Sequence, residues 1–253
     1  MCSSDLGAML LNTYSTSQIA GIIGVHPNTI RFYEELKLLP PIPRAKNGYR
    51  VFDDGHLLQL RLLRAAFRAE IISDRLRQEA VEIVKTAAAG RIDEAYLSAT
   101  RYAEHLREER RRAEEAIQIT LDSISQLKNP EETVLARTRT QAAVSLEITK
   151  DVLRDWERNG LITVPRDSSG YRVYGAREMD RLKIIRTLRS AHYSMMSILR
   201  MLRRMDQGEM NLRQAIDTPD EEEDIVNAAD RYCTALQQAE QDAIEMLKIL
   251  SSK

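Results

Sequence analysis

Apolar residues recur with helical spacing along most of this chain. The three- and four-residue spacing of one buried helix face runs through residues 54–68, 71–85, 95–127 and 225–250. Glycine and proline, which interrupt helices, number only 10 and 7 among 253 residues. We therefore predict a mainly α-helical fold, and the chain is long enough for about two domains.

Two short helices joined by a tight turn are predicted before the first of these longer helices. Ser15 or Thr16 can cap the first short helix, and Gly24 suits the turn that follows it. Pro27 fits the first turn of the second helix, predicted over about 27–37, because its missing N–H needs no partner there. Two helices in this arrangement are typical of a helix-turn-helix, whose second helix enters the major groove of DNA.

A β-hairpin is predicted directly after this helix pair. Asn47 and Gly48 favour a hairpin turn because both residues tolerate a positive φ. Residues 43–45 and 49–52 are the strand candidates on either side. A hairpin that follows a helix-turn-helix forms a wing, so a winged helix-turn-helix module is expected here.

The same pattern occurs twice, about 122 residues apart. Arg31 corresponds to Arg154 at an offset of 123, and Tyr49 corresponds to Tyr171 at an offset of 122. A repeat of this size indicates two copies of one module. We expect four segments along the chain: a first winged module at 12–89, a connecting helix at 90–130, a second winged module at 134–208 and a coiled-coil helix at 220–251.

The residues of both copies resemble the MerR family of transcription regulators. In the first copy the resemblance lies in Thr-Ile-Arg-Phe-Tyr-Glu at 29–34, Leu38-Leu39, Arg44 and Asn-Gly-Tyr-Arg-Val-Phe at 47–52. In the second it lies in Leu153-Arg154, Trp156-Glu157, Gly160-Leu161-Ile162, Pro165-Arg166 and Gly-Tyr-Arg-Val-Tyr at 170–174. The resemblance implies a sequence-specific regulator that binds double-stranded promoter DNA and distorts it for RNA polymerase.

The residues predicted to contact DNA lie on the second helix and on the wing of each copy, where such modules meet bases and phosphates. In the first copy they are Asn28, Thr29, Arg31, Phe32, Tyr33, Arg44, Lys46, Tyr49 and Arg50. In the second copy they are Lys150, Arg154, Trp156, Arg166, Tyr171 and Arg172. The second copy departs from the first at two positions. Glu147 stands at the turn position of Gly24, and Asp155, which would repel phosphate, replaces Phe32.

Positive charge is concentrated on the two copies, although the net charge of the whole chain is only −1. Residues 14–70 contain eight Lys and Arg against five Asp and Glu, and residues 137–205 contain fifteen against seven. Residues 206–253 contain four against twelve. Because a local positive surface attracts phosphates and releases their counterions, this distribution favours nucleic-acid binding by the two copies.

Two long helices with apolar stripes follow the modules. Residues 95–127 are predicted to form one, and residues 225–250 the other, with the alternating spacing of a coiled-coil seam. The family resemblance implies that such helices pair two modules as a dimer. Pairing inside one chain, as an internal pseudo-dimer, and pairing between two chains, as a homodimer, bury the same stripes. Both arrangements therefore remain open.

The sequence carries no sign of catalytic or metal chemistry. Cys2 and Cys233 are far apart and the four histidines do not cluster at ligand spacing, so neither a metal site nor a cofactor is predicted. No nucleophile motif or phosphate loop is apparent, so an enzyme is not expected. A pocket for a small-molecule effector, if one binds, is expected between helices near Tyr193 to Met205, where methionines provide an adaptable lining.

The N-terminus shows no secretory pattern, and no apolar run approaches the length of a membrane span. We therefore expect a cytoplasmic protein without a membrane partner. The rival to a DNA-binding regulator is an architectural scaffold whose helix-turn-helix modules bind other proteins and no longer read DNA. The arginines at matching places in both copies argue against that rival.

Overall fold

The computed structural model describes residues 12–68, 74–126, 136–209, 211–218 and 231–252. Its fold is mainly α-helical, which confirms the prediction. The helices of the described ranges are α1 (Thr16–Ile23), α2 (Pro27–Glu35), α3 (Asp54–Arg68), α4 (Asp74–Ala88), α5 (Ile92–Gln126), α6 (Arg139–Ser145), α7 (Lys150–Arg158), α8 (Ala176–Ser190), α9 (Met195–Asp206), α10 (Leu212–Asp217) and α11 (Tyr232–Ser251).

The chain divides into two compact units. The first consists of residues 1–107 and 237–253, and the second consists of residues 108–236. The first unit contains α1 to α4, the first part of α5 and most of α11. The second unit contains α6 to α10, the rest of α5 and the first turn of α11. Each unit therefore combines one winged module with parts of both long helices.

Capping residues define the helix-turn-helix of the first unit. Ser15 caps α1 in a capping box with Gln18, whose backbone N–H donates to Ser15 Oγ at 3.3 Å. Gly24 ends α1 with a left-handed φ of 74°, and Pro27 occupies the first turn of α2. α2 ends two residues before the predicted Lys37, because the backbone turns left-handed at Lys37 with a φ of 57°.

The core of the first module joins its helices to the base of its wing. One buried cluster contains Ile19, Ala20, Ile23, Ile30, Leu39, Phe52 and Leu60. Tyr14 and Phe52 form an antiparallel bridge with N–H···O distances of 2.8 and 2.9 Å. α3 spans 54–68 as predicted and contributes Leu60 to the cluster. Burial of Phe52 thus fixes the base of the wing against the helices.

The second unit repeats this arrangement with one strained turn. Thr138 caps α6 and Thr149 caps α7, each through its side-chain oxygen. The turn between the two helices holds Glu147 at a left-handed φ of 52°, at the position where the first copy has Gly24. A side chain there costs roughly 1–2 kcal/mol. The second turn is therefore the less ideal one, as predicted, and the Glu147 carboxylate pairs with Arg186 of α8.

Each wing is a short hairpin with isolated bridges. Arg44 pairs with Arg50 in the first wing, and Arg166 pairs with Arg172 in the second. In the first wing Ala45 N–H donates to the Tyr49 carbonyl and Val51 N–H to the Pro43 carbonyl, each at 2.9 Å, so the predicted strand segments do pair with each other. Pro43 precedes the bridge, and its missing N–H prevents a longer ladder on that side.

A short helix that the sequence did not predict follows α9. Asn211 caps this helix, α10, by accepting the backbone N–H of Gln214 at 3.3 Å. The guanidinium of Arg200 on α9 is buried, and its Nε donates to the carbonyl of Ala215 at 2.9 Å. A polar anchor of this kind is invisible to hydrophobic periodicity, which explains why α10 was missed.

The two long helices are confirmed within the described residues. α5 covers Ile92–Gln126 against a predicted 95–127, and α11 covers Tyr232–Ser251 against a predicted 225–250. Residue 127, residues 225–230 and the predicted segment ends at 130, 134 and 220 lie outside the described residues. Among the helices that the structure describes, none combines the length and the apolar character needed to cross a membrane.

The glycine that ends α1 is expected to be sensitive to a side chain. Gly24→Ala should lower the free energy of unfolding by about 1 kcal/mol, because a Cβ is disfavoured at a φ of 74°. Gly21 is the matched control, since it lies inside α1 and its Cβ position has no atom within 4 Å. Gly21→Ala should raise the free energy of unfolding by about 0.5–1 kcal/mol. Urea unfolding measures both changes, and effects of the same sign would contradict the left-handed turn.

Candidate nucleic-acid interface

The first recognition helix, α2, exposes a face of mixed chemistry. Asn28 and Arg31 are exposed, and Arg31 Nη1 donates to Asn28 Oδ1 at 3.2 Å. Phe32 beside them is 54% exposed, and Thr29 is half-buried. An amide suits adenine edges, a guanidinium suits guanine edges, and an apolar ring suits a thymine methyl group. This face can therefore distinguish bases in a major groove.

The first wing presents its tip to solvent. Tyr49 is 74% exposed next to Gly48, whose φ is 81°. Asn47 Oδ1 accepts the backbone N–H of Tyr49 at 3.3 Å and so closes the turn. Arg44 Nη1 donates to the Gly48 carbonyl at 3.2 Å and remains exposed, as does Lys46. These side chains can reach a phosphate without giving up a buried partner.

The second wing repeats the geometry of the first. Tyr171 is also 74% exposed, Gly170 has a φ of 82°, and Arg166 Nη1 donates to the Gly170 carbonyl at 2.7 Å. Asp167 Oδ1 accepts the backbone N–H groups of Ser169 and Tyr171, each at 2.9 Å. Both wings hold a large aromatic ring in solvent, where packing gains nothing from it. The recurrence favours a binding role for the wing tyrosines.

A glutamate of the recognition helix holds the first wing in place. Arg50 Nε lies 2.7 Å from Glu34 Oε2, and both side chains are half-buried. Charge-assisted contacts of this kind fix orientation as well as add energy. The Arg50 guanidinium therefore joins the wing to α2, and its predicted contact with DNA stays a prediction. We call this pair, and its counterpart in the second copy, the wing clamp.

The wing clamp of the second copy is a larger network around Glu157. Arg172 Nε lies 2.7 Å from Glu157 Oε2, and Arg139 Nη2 donates to both carboxylate oxygens at 3.0 Å. The Tyr174 hydroxyl donates to Oε1 of the same carboxylate. Burial raises the pKa of Glu157, but hydrogen bonds from Tyr174 and Arg139 and the arginine charges bring it below its usual value. Arg172 thus also holds its wing against the recognition helix, and its predicted contact with DNA stays a prediction.

The second recognition helix, α7, carries charges of both signs on its exposed surface. Lys150 at its first position is exposed. Arg154 Nη1 lies 2.6 Å from Asp151 Oδ1, and Arg158 Nη2 lies 3.2 Å from Asp155 Oδ1. The two carboxylates stand at the positions that an amide and a phenyl ring occupy in the first copy. Carboxylates accept hydrogen bonds from cytosine amino groups, so α7 suits a different base sequence from α2.

Two of the predicted aromatic contacts belong to the core. Trp156 is only 5% exposed, so the prediction that it contacts DNA is wrong. Tyr33, at the equivalent position of the first copy, is half-buried against the core cluster. The reason is helical periodicity, because Trp156 lies three residues after the fully buried Leu153 and shares its face.

The glutamates of the wing clamp are functional residues that sequence reasoning missed. The signal was present in the repeat. Glu34 and Glu157 correspond at an offset of 123, and Arg50 and Arg172 correspond at an offset of 122. Opposite charges that recur together in both copies indicate an ion pair, whereas each arginine considered alone suggests a phosphate ligand.

The exposed groups of both copies offer binding chemistry. They are amides, guanidinium groups, ammonium groups and aromatic rings, which contact bases and phosphates. Within the described ranges, no group of three or more His, Cys, Asp or Glu side chains is placed to hold a metal ion. The geometry of the two copies is therefore best explained as a recognition surface.

Two family profiles match the chain, one in each copy. The profile described as a MerR family regulatory protein matches residues 15–52. The profile described as a MerR HTH family regulatory protein matches residues 138–205. No solved structure matches the chain.

Curated relatives match part of the chain. The HTH-type transcriptional regulator CueR of Escherichia coli O157:H7 is 48% identical over 50 residues, which are 20% of this chain and 37% of that protein. CueR of Yersinia pestis is 40% identical over 62 residues, 24% of this chain and 45% of that protein. The HTH-type transcriptional regulator MerD of Shigella flexneri is 41% identical over 66 residues, 26% of this chain and 55% of that protein. The chain thus spans between 37% and 55% of the length of these relatives.

The family profiles, the sequence motifs and the geometry agree on the same two stretches. Residues 15–52 hold α1, α2 and the first wing. Residues 138–205 hold α6, α7, the second wing, α8 and nearly all of α9. Each copy therefore contains one stretch that matches a MerR family profile, and the chain resembles MerR-type regulators in both copies.

Proposed function

We propose that this protein is a sequence-specific transcriptional regulator that binds double-stranded promoter DNA through both MerR domains. The observation that carries the proposal is one exposed surface that recurs in two copies. In each copy an arginine donates to a backbone carbonyl of an exposed wing tip, and an ion pair joins the wing to the recognition helix. The relatives named above are transcriptional regulators, which supports the same function.

Phosphate contacts belong to the exposed side chains of the wings. Arg44, Lys46 and Arg166 are exposed cations, and Tyr49 and Tyr171 stand beside them with most of their surface in solvent. Contacts between such groups and phosphates position a protein on the duplex. They also release counterions, so the affinity they provide falls steeply with salt and carries no sequence preference.

Sequence preference comes from the two recognition helices, which differ. Asn28 and Phe32 of α2 are replaced by Asp151 and Asp155 in α7. Amide and apolar groups favour adenine and thymine, whereas carboxylates favour the amino group of cytosine. The two domains should therefore recognise half-sites of different sequence.

The family resemblance adds DNA distortion and RNA polymerase to the proposal. Bending a site by 40–90° costs on the order of 1–6 kcal/mol, which additional phosphate contacts from two wings can offset. We propose that the protein acts in the cytoplasm on promoter DNA and influences RNA polymerase without a catalytic step of its own. Its influence on RNA polymerase would depend on how the two domains fold and pair, and on no reaction that the protein catalyses.

Contacts in the first unit support pairing of the long helices within one chain. Arg68 of α3 lies 2.8 Å from Asp242 and 2.9 Å from Glu245, both on α11. Burial, together with the carboxylates of Glu79 and Asp242, raises the pKa of Tyr102 on α5. Helices α3, α5 and α11 thus meet around the buried Asp242.

Contacts in the second unit support the same pairing. The Tyr193 hydroxyl, next to the start of α9, donates to the Ala113 carbonyl of α5 at 3.2 Å. The same hydroxyl lies 2.9 Å from the Sγ of Cys233 on α11. Each unit therefore has its own junction of a winged module with α5 and α11. We propose the internal pseudo-dimer on this basis, and the homodimer remains its rival.

DNA selection tests the proposed function. Full-length protein should enrich an imperfect palindrome from random duplex DNA, with two different half-sites about one or two helical turns apart, roughly 34 Å or a multiple. A perfectly symmetric site would contradict the use of both domains of one chain on one site. Absence of any enriched motif would overturn the proposal and favour the scaffold.

The salt dependence of DNA binding tests the wing cations. Arg44→Ala and Arg166→Ala should each weaken binding and reduce the slope of log K against log salt by roughly one, because each removes one phosphate contact. Arg107→Ala, at an exposed position on α5, is the matched control and should leave the slope unchanged. Fluorescence anisotropy between about 50 and 200 mM salt measures the slopes. Unchanged slopes in both wing variants would exclude them as phosphate ligands.

The pH dependence of stability tests the wing clamp of the second copy. Glu157→Gln should lower the free energy of unfolding at neutral pH by about 1–3 kcal/mol, because it removes a charged acceptor from a half-buried network. The folded-state pKa of Glu157 is depressed, so its stabilisation is present above the usual value of 4.5 and is lost as the pH falls below it. The gap between wild type and variant should therefore close in acid.

Urea unfolding at several pH values provides that measurement. Glu104→Gln, at an exposed position on α5, is the control and should change stability little at any pH. A gap that stays constant from neutral pH to about pH 3 would show that the Glu157 charge is not the stabilising feature.

Light scattering tests the internal pseudo-dimer. One chain has a mass of 28.9 kDa, and the proposal predicts that mass at low micromolar concentration. Pairing within one chain avoids the association entropy that a dimer must overcome. A mass near twice that value, persisting on dilution, would contradict the internal pairing and support the homodimer.

A further inference from the structure

The second MerR domain contains a charged cavity outside its proposed DNA-binding surface. The cavity has a volume of about 340 Å³ and lies between the loop after α7, the first turn of α8 and the last turns of α9. Arg177, Arg181 and Arg203 line it, together with Glu178 and Asp206. We call it the arginine cavity. Its volume lies at the lower end of the range for small-molecule sites, so it suits a small metabolite.

Both carboxylates of the arginine cavity are engaged within the protein. Glu178 Oε2 accepts the backbone N–H of Gly175 at 2.9 Å and thereby caps α8. Asp206 Oδ1 accepts from Arg181 Nη1 at 2.8 Å, while Arg181 Nε donates to the Leu161 carbonyl at 2.8 Å. Asp206 is thus paired with Arg181, whereas Glu178 keeps its negative charge. Three arginines against two carboxylates leave the wall with a formal charge of +1.

Arg177 and Arg203 are the remaining cations of the wall. Both are exposed, and no hydrogen bond or ion pair joins either guanidinium to any residue in the described part of the chain. Two guanidinium groups that share a cavity repel each other. An anion bound between them removes that repulsion and satisfies their planar sets of N–H donors.

The first domain shows that the fold does not require these charges. Helices α3 and α8 correspond at an offset of 122, so Gly55 and Gln59 stand at the positions of Arg177 and Arg181. Gln59 Nε2 donates to the Leu38 carbonyl at 3.0 Å, which is the tether that Arg181 makes in the second domain. A neutral amide therefore suffices for the structural contact. The charges of Arg177 and Arg203, which make no hydrogen bond or ion pair within the described part of the chain, are therefore available to a ligand.

We propose that the arginine cavity binds a small dianion, a phosphorylated or dicarboxylate metabolite, between Arg177 and Arg203. Guanidinium groups bind phosphate and carboxylate oxygens in bidentate pairs, which gives affinity and geometric selectivity. The cavity lies beyond the C-terminal end of α7. Lys150, a residue predicted to contact DNA, lies at the first position of the same helix. A DNA phosphate is the other source of the same chemistry, and the DNA-binding measurement below separates the two occupants. This ligand site goes beyond DNA binding and does not depend on it.

Inorganic phosphate is the probe that tests this site. At fixed ionic strength, with chloride exchanged for phosphate, the wild-type Tm should rise saturably by about 3 °C. The double variant Arg177→Gln/Arg203→Gln should lose the saturable rise. The matched control Arg101→Gln/Arg107→Gln removes two exposed arginines from α5 and should respond like the wild type.

Two results would overturn the proposal. An equal rise of Tm in the wild type, the cavity variant and the control would mean that phosphate stabilises the protein by general exclusion from its surface. DNA affinity in phosphate-free buffer should be unchanged in the cavity variant. A loss of that affinity together with a shallower salt slope would make the two arginines DNA ligands instead. The thermal measurement uses no DNA, so a failure of the proposed DNA-binding function would not alter its result.

Discussion

The wing clamp is the interaction on which the geometry of each domain depends. In both copies an arginine Nε of the wing lies 2.7 Å from a glutamate oxygen of the recognition helix. Neither partner element is stable alone, because α2 and α7 have only nine residues each and a lone hairpin is marginal in water. The clamp therefore sets how the recognition helix and the wing are oriented relative to each other.

The two domains keep this constraint while their outer surfaces differ. The two wing tips carry the same kinds of side chain, and Tyr49 and Tyr171 are equally exposed. The recognition helices differ, since Asp155 replaces Phe32. The turn before α7 tolerates a left-handed Glu147. Because the two domains share one backbone arrangement but differ in their exposed side chains, one chain is suited to contact two unlike half-sites. The arginine cavity is a further surface difference of the second domain.

Signals between neighbours along the chain made much of the fold predictable. Side chains that meet only in the folded protein could not be paired from the sequence. Capping residues, glycine turns and helical periodicity depend on neighbours along the chain, so the helix pairs, the wings and α3 could be placed from the sequence. The partner of Arg50 lies 16 residues away on another element, and its charge alone suggested DNA. Trp156 was misassigned because its motif was weighed above its spacing from Leu153. The arginine cavity brings together α8 and α9, which no local pattern joins.

The central claim is that one chain supplies two different DNA-binding domains. DNA footprinting with variants that each alter one domain tests this claim most directly. Arg31→Ala and Arg154→Ala each remove one exposed guanidinium from one recognition helix. Hydroxyl-radical footprints on the selected DNA site should then lose protection in one half-site for the first variant and in the other half-site for the second. Equal loss in both half-sites for each variant would contradict the account, because every half-site would then be contacted by the same domain of two separate chains.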